Sequence, residues 1–202
     1  MVNSGAITTV DLVPGTDHAA RWETIRVGLS RFAGRDLALD DETYSSASAT
    51  NQRNRGIAQL LDSLGALGRD PAETVDIYTR QSCLAVTAQD LAVMGATLAD
   101  GGVNPLTGTR VIDASHCTRV LAVLATAGLY ERSSEWLYEV GLPGKSGVSG
   151  GIVAIAPGKG ALGTFSPPLD QAGNSVRGQR VTEYLSQALG LNLFASSPAP
   201  RS

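Results

Sequence analysis

Lysine is nearly missing from this chain, with Lys145 and Lys159 the only two in 202 residues. Sixteen basic residues stand against nineteen acidic ones, for a formal net charge of −3, and the arginines are scattered rather than clustered. No cationic stripe is available to a polyanion, so nucleic acid is excluded as an expected partner. Cysteine is equally sparse. Cys83 and Cys117 make no disulfide framework in a chain of this size, and a reducing cytoplasm is the expected setting. The two histidines, His18 and His116, have no Glu or His partner at metal-ligand spacing, so no metal and no cofactor are expected. Apolar runs are interrupted well before membrane-spanning length, and the opening MVNSGAITTV lacks both a basic n-region and an apolar h-region. A soluble protein without membrane contact is expected. There is no internal repeat and no low-complexity block.

What is present is a punctuated series of helical patterns. Hydrophobic residues make up 43%, enough for one sizeable core, and one compact domain is expected with a frayed Ser/Pro tail after Phe194. Trp22, Ile25, Leu29 and Phe32 recur at helical spacing after Gly15-Thr16-Asp17, and Gly34 closes the segment. The polar stretch from Tyr44 to Asn51 reads as a loop entering a second helix with the stripe Ile57, Leu60, Leu61 and Leu64. Asp70-Pro71-Ala72-Glu73 has an N-cap, a first-position proline and a third-position acid, predicting a helix through Val75, Ile77 and Tyr78. Thr87-Ala88-Gln89-Asp90 predicts a capped helix ended by Gly101-Gly102. Asp113 or Ser115 caps another up to Gly128, and Asn174 begins a last one.

Strand character is confined to one place. Ile152 to Ala156, a Pro157-Gly158-Lys159-Gly160 turn, and Ala161 to Phe165 read as an antiparallel hairpin. Immediately before it stands Gly144-Lys145-Ser146-Gly147. A lysine at a strand edge places positive charge near a substrate, and the glycine lets that substrate lie close to the backbone. Lys-Ser-Gly in this position resembles one signature of the penicillin-recognising serine hydrolases.

Seven ordered blocks extend the resemblance. VNSGAI, QRNRGIAQLL, DIYTRQS, LAVMGATLADGGVNPLTGTRV, TAGLY with the following EW, VGLPGKSGVSGGI and FSPPLDQAGNSVRG run from Asn3 to about Leu193. They resemble the serine-dependent bacterial-type glutaminases. The resemblance implies an α+β fold of the β-lactamase/penicillin-binding-protein type, with an antiparallel sheet flanked by helices. It also implies hydrolysis of L-glutamine to L-glutamate and ammonia through an acyl-enzyme, and assembly into dimers or tetramers. Residue by residue, it implies that Asn3 and Asn54 contact the substrate through amides that donate and accept. Tyr78 would close over the substrate. Tyr130 would exchange protons with the nucleophile and leaving group, with Lys145 supplying the cation a phenol needs near neutral pH. Val148 would bind the oxyanion through its backbone N–H, kept accessible by Ser149 and the flanking glycines.

Two departures qualify that pattern. The family's nucleophile belongs to a Ser-x-x-Lys motif upstream of the Asn3 block, and here the residues three before the two lysines are Leu142 and Ala156. The chain is therefore expected to be the C-terminal two-thirds of a catalytic domain, residues 1–194, without its N-terminal part. The second departure is Ala47, where the family carries a glutamate that pairs with the substrate's α-amino group. Losing a charge-assisted contact of this kind is expected to cost ~1.5–3 kcal/mol of binding. Three readings follow: a glutaminase whose nucleophile lies outside this sequence, an inactive remnant serving as an amino-acid-binding or assembly module, and another amidohydrolase or penicillin-binding relative on the same scaffold.

Overall fold

The computed structural model describes residues 2–196 of the chain, so the tail expected after Phe194 lies, from residue 197 on, outside the described residues. The chain divides into two compact units, Met1–Val86 and Thr87–Ser202.

The first unit is helical: α1 (Asn3–Asp11), α2 (His18–Ala33), α3 (Asp41–Ala49), α4 (Gln52–Ser63) and α5 (Pro71–Ser82). Short polar side chains start several of these helices by accepting hydrogen bonds from otherwise unpaired N–H groups. Asp17 accepts from Ala20 ahead of α2, and Asp70 accepts from Ala72 and Glu73 ahead of α5, with Pro71 at the first helical position as the sequence predicts. Gly34 ends α2 in the left-handed conformation. Two apolar clusters hold the helices together. Ile7, Ala58, Leu67 and Val75 form one, and Val10, Ile25 and Ile77 the other.

The Tyr44–Asn51 stretch is mostly helix rather than loop, which corrects the sequence expectation. Asp40 caps α3 by accepting from the Thr43 N–H, but α3 buries no residue, so no apolar stripe announces it. Tyr44 is what anchors it. Its hydroxyl donates to Asp76 on α5, and Arg80 sits 4.6 Å from the centre of the Tyr44 ring. His18 at the start of α2 also meets Asp76, at 2.7 Å. Burial pushes the Asp76 carboxyl up, but the hydrogen bonds from Tyr44, Arg80 and His18 outweigh it and leave the carboxyl below its usual range.

The second unit contains α6 (Ala88–Ala99), α7 (Ala114–Ala127), a 3-10 turn at Tyr130–Arg132, α8 (Ser133–Glu139), three strands and α9 (Val176–Ala188). Thr87 and Asp90 form a complete capping box at α6, and Asp113 rather than Ser115 caps α7. The last helix begins two residues later than predicted, because Ser175 accepts from the Gly178 N–H while Asn174 is turned to other partners. Strands β1 (Gly144–Ser146), β2 (Gly151–Ala156) and β3 (Gly160–Phe165) make one antiparallel sheet in the order β1-β2-β3. The predicted hairpin is β2-β3, with Ala154 opposite Leu162. Lys145 does not precede the sheet. It lies within β1, opposite Val153.

Strand β2 is apolar without alternation because both of its faces are covered. Ile152, Ala154 and Ala156 pack with Leu129, Trp136, Val140 and Leu142 on one side. Ile155 and Val153 pack with Leu98, Ala99, Leu121 and Leu124 of α6 and α7 on the other. Trp136 satisfies its indole N–H on the Leu142 carbonyl, 2.8 Å away, which ties α8 to the approach of β1.

Candidate active site

In the second unit, the end of α7 is pressed onto β1. A Cβ at Gly128 would fall 1.7 Å from the Gly144 carbonyl oxygen, so only glycine allows this approach. The Ser146 N–H donates to the Gly128 carbonyl at 3.3 Å, which fixes the register of the two segments. Two residues on, Tyr130 has φ of 54°, the left-handed region that non-glycine residues seldom occupy. Its neighbours hold it there. The Leu129 N–H donates to Ser133 Oγ, and Ser133 Oγ donates to the Tyr130 carbonyl.

This geometry brings together the three predicted residues of the unit. The Lys145 ammonium lies 4.7 Å from the centre of the Tyr130 ring, a cation–π distance. Lys145 also donates to the Ser146 carbonyl, and no carboxylate pairs with it among the described residues. Burial pushes its amine below the ordinary lysine value. Val148 sits in the turn between β1 and β2, closed by Gly150 N–H to Gly147 O and Gly147 N–H to Gly151 O bonds, each 2.9 Å. The Val148 N–H makes no hydrogen bond among the described residues, and the residue is 71% exposed. Gly173 abuts both neighbours: a Cβ there would lie 3.5 Å from Val148 and 3.9 Å from Tyr130.

Asn174 is the residue that reasoning from sequence misassigned, as a helix start. It is fully buried. Its Oδ1 accepts from Ser146 Oγ at 2.5 Å and its Nδ2 donates to the Leu129 carbonyl at 3.5 Å, so one side chain braces both β1 and the segment leading into Tyr130. Asp170 accepts from the Asn174 N–H, Arg132 and Gln179; burial raises its carboxyl, and these bonds carry it below the usual range. The one available signal was Asn174 lying within the GNSVRG block rather than at a polar boundary.

In the first unit, Asn3 is the first residue of α1 and Asn54 the third of α4. They meet although 51 positions apart, with Asn3 Nδ2 donating to Asn54 Oδ1 at 2.8 Å. Behind Asn54 stands Asn51, the residue that precedes α4 and that the sequence places in a loop. Tyr78, next to Thr79 on α5, is half-buried against both apolar clusters of the unit. Ala47 lies on α3 with no polar side-chain atom to offer. His18 meets only Asp76, and no group of three metal-ligating side chains is found among the described residues.

A lysine on an edge strand, a constrained tyrosine facing it and an unpaired turn N–H beside a three-stranded antiparallel sheet define a β-lactamase-like α+β scaffold, and solved structures agree. The described residues superpose on the probable glutaminase YbaS with a TM-score of 0.94 at 48% identity, over 96% of this chain and 63% of that one. The Bacillus subtilis glutaminase YbgJ, solved as a covalent complex with 5-oxo-L-norleucine, gives 0.92 at 30% identity, over 96% and 69% respectively. Glutaminase 2 of Yersinia pestis is 60% identical over 198 residues, 98% of this chain. The family model Glutaminase matches residues 1–194. The chain belongs to the glutaminase family. It spans 58% of the length of the Yersinia relative and 62% of a Brucella canis glutaminase.

Proposed function

We propose that the chain is the greater part of a glutaminase catalytic domain, residues 1–194, that serves hydrolysis of L-glutamine to L-glutamate and ammonia. The observation that carries this reading is the convergence of Lys145, Tyr130 and the unpaired Val148 N–H at β1 in a member of this family. The Val148 N–H is the donor for the oxyanion of the tetrahedral intermediate, and a donor aimed at developing charge is worth ~2.7–4 kcal/mol in such reactions. Tyr130 carries the proton to the departing ammonia. The Lys145 ammonium, facing the Tyr130 ring, stabilises negative charge that develops there. Asn3, Asn54, Tyr78, Tyr130 and Val148 are the residues proposed to bind substrate. The serine that forms the acyl-enzyme is supplied by residues outside this sequence, because no Ser-x-x-Lys occurs in it. Self-association as a dimer or tetramer and a cytoplasmic location complete the proposal. Cys83 and Cys117, both buried and unpaired, support the location.

The test is covalent labelling with 6-diazo-5-oxo-L-norleucine, read by intact mass. This chain alone should stay at 20.9 kDa, and a longer native protein carrying Ser-x-x-Lys should gain one adduct. An adduct on the 202-residue chain would mean that another of its residues is the nucleophile. Ala47 favours a second reading, an inactive amino-acid-binding module. Failure of the longer native protein to release ammonia from L-glutamine, while it still binds the amino acid, would select that one.

A further inference from the structure

Asn54 is one link in a longer chain of hydrogen bonds. Asn3 Nδ2 donates to Asn54 Oδ1 at 2.8 Å, Asn54 Nδ2 donates to Asn51 Oδ1 at 2.5 Å, and Asn51 Nδ2 donates to Thr79 Oγ1 at 2.6 Å. Thr79 Oγ1 in turn donates to the Val75 carbonyl one turn earlier on α5, at 2.7 Å. The direction of the whole series follows from that last bond. A threonine hydroxyl has one proton, and with asparagine at position 51 it goes to the Val75 carbonyl, so toward Asn51 the oxygen accepts. Asn51 must therefore present its NH2 to Thr79 and, because the amide is planar, its carbonyl oxygen to Asn54. Asn54 must then turn its own oxygen to Asn3. The outcome is that, among the described residues, Asn3 keeps Oδ1 as an acceptor at an exposed position, and Asn54 and Asn3 each keep one N–H. Reversing any one amide would set two donors or two acceptors face to face.

We infer that Asn51 and Thr79 are positioning residues that fix the orientation of the Asn54 and Asn3 side-chain amides and so leave Asn3 presenting an acceptor oxygen. Neither residue needs to touch a ligand. Thr79 is buried on α5 and acts through Asn51, 28 positions away in sequence. As a feature of ligand recognition, the inference rests on the proposed role of Asn3 and Asn54 in binding L-glutamine. The relay itself does not.

The experiment uses the whole 202-residue chain, labelled with ¹⁵N, and follows the side-chain NH2 signals of Asn3 and Asn54 without ligand. Thr79→Val keeps the shape of the side chain and removes the acceptor. It should move both pairs of signals and speed exchange of the Asn54 NH2 protons about tenfold, while the backbone amides of α4 and α5 keep their protection and the Asn104 side chain, in the other unit, is unchanged. Asn51→Ala should do the same. Asn51→Asp, which still accepts from Asn54 and can take the Thr79 proton by rotation of the hydroxyl, should leave the Asn54 and Asn3 signals near their original positions. Unchanged Asn3 and Asn54 signals in both Thr79→Val and Asn51→Ala would overturn the relay. A titration with L-glutamine follows on the same samples. Binding should weaken about tenfold in Thr79→Val and stay within about threefold in Asn51→Asp. If the unaltered chain binds no L-glutamine, the proposed binding role of this unit falls, and the relay stands or falls on the ligand-free spectra alone.

Discussion

Replacing Asn174 with leucine isolates the brace beneath β1. The side chain is fully buried, and its substitution leaves Ser146 Oγ, only 3% exposed, without its acceptor and the Leu129 carbonyl without a side-chain donor. A buried polar group left unpaired costs ~1–3 kcal/mol, and the longer Leu129 bond adds less, so about 2–3 kcal/mol is expected for Asn174→Leu. Ser146→Ala should cost ~1–2 kcal/mol for the mirror-image reason. The two changes together should cost less than their sum, because an apolar pair leaves neither partner unsatisfied. A coupling of at least ~1 kcal/mol is expected from that asymmetry. Urea unfolding checks this in a Trp22→Phe background, where the buried Trp136 beside Gly144 becomes the single reporter of the second unit. The Asn174→Leu midpoint should fall by about 1–2 M with an unchanged slope. Additivity within ~0.5 kcal/mol would refute the assignment of Asn174 and Ser146 as an interdependent pair.

Three further predictions concern other parts of the molecule. Thr87→Ala breaks the capping box at α6 and should lower stability by ~1 kcal/mol in the same urea assay, with Thr87→Asp recovering most of it. Tyr44→Phe removes the hydroxyl donated to Asp76 from a helix that buries no residue; amide hydrogen exchange across residues 41–49 should accelerate selectively, with the α5 amides unaffected. Lys145→Met tests the desolvated amine through pH. The folded amine lies below the ordinary lysine value, so between the two the unfolded chain holds more protons and stability rises as pH rises. The penalty is present in full below the folded value. The unaltered chain should therefore gain stability relative to Lys145→Met as pH rises toward the ordinary lysine value of 10.5 in melts at stepped pH, and parallel curves would count against the burial of the charge.

How much of this was legible beforehand follows from the range of each interaction. Helix starts at Asp17, Asp70 and Thr87 are readable because a cap acts within three residues of chain, and for α7 the same signal narrows the cap to Asp113 or Ser115. The β2-β3 hairpin was readable for a related reason, since its turn and its apolar runs are contiguous. The seven ordered blocks also singled out Lys145, Tyr130 and Val148. What the chain order could not reveal was how such residues are held. Helix α3 leaves no mark in the sequence pattern because it is anchored by a tyrosine reaching Asp76, 32 positions away, rather than by an apolar stripe of its own. Asn174 resembles a helix start in the sequence because its partners, Ser146 and Leu129, are 28 and 45 positions distant. The polarity of the Asn3 amide depends on a threonine proton on α5, reached through two other side chains. The sequence by itself determined the local punctuation, the sheet hairpin and the family. Only the tertiary structure decided which buried polar groups satisfy one another, because a hydrogen bond between distant residues exists only once packing has brought its two ends within about 3 Å.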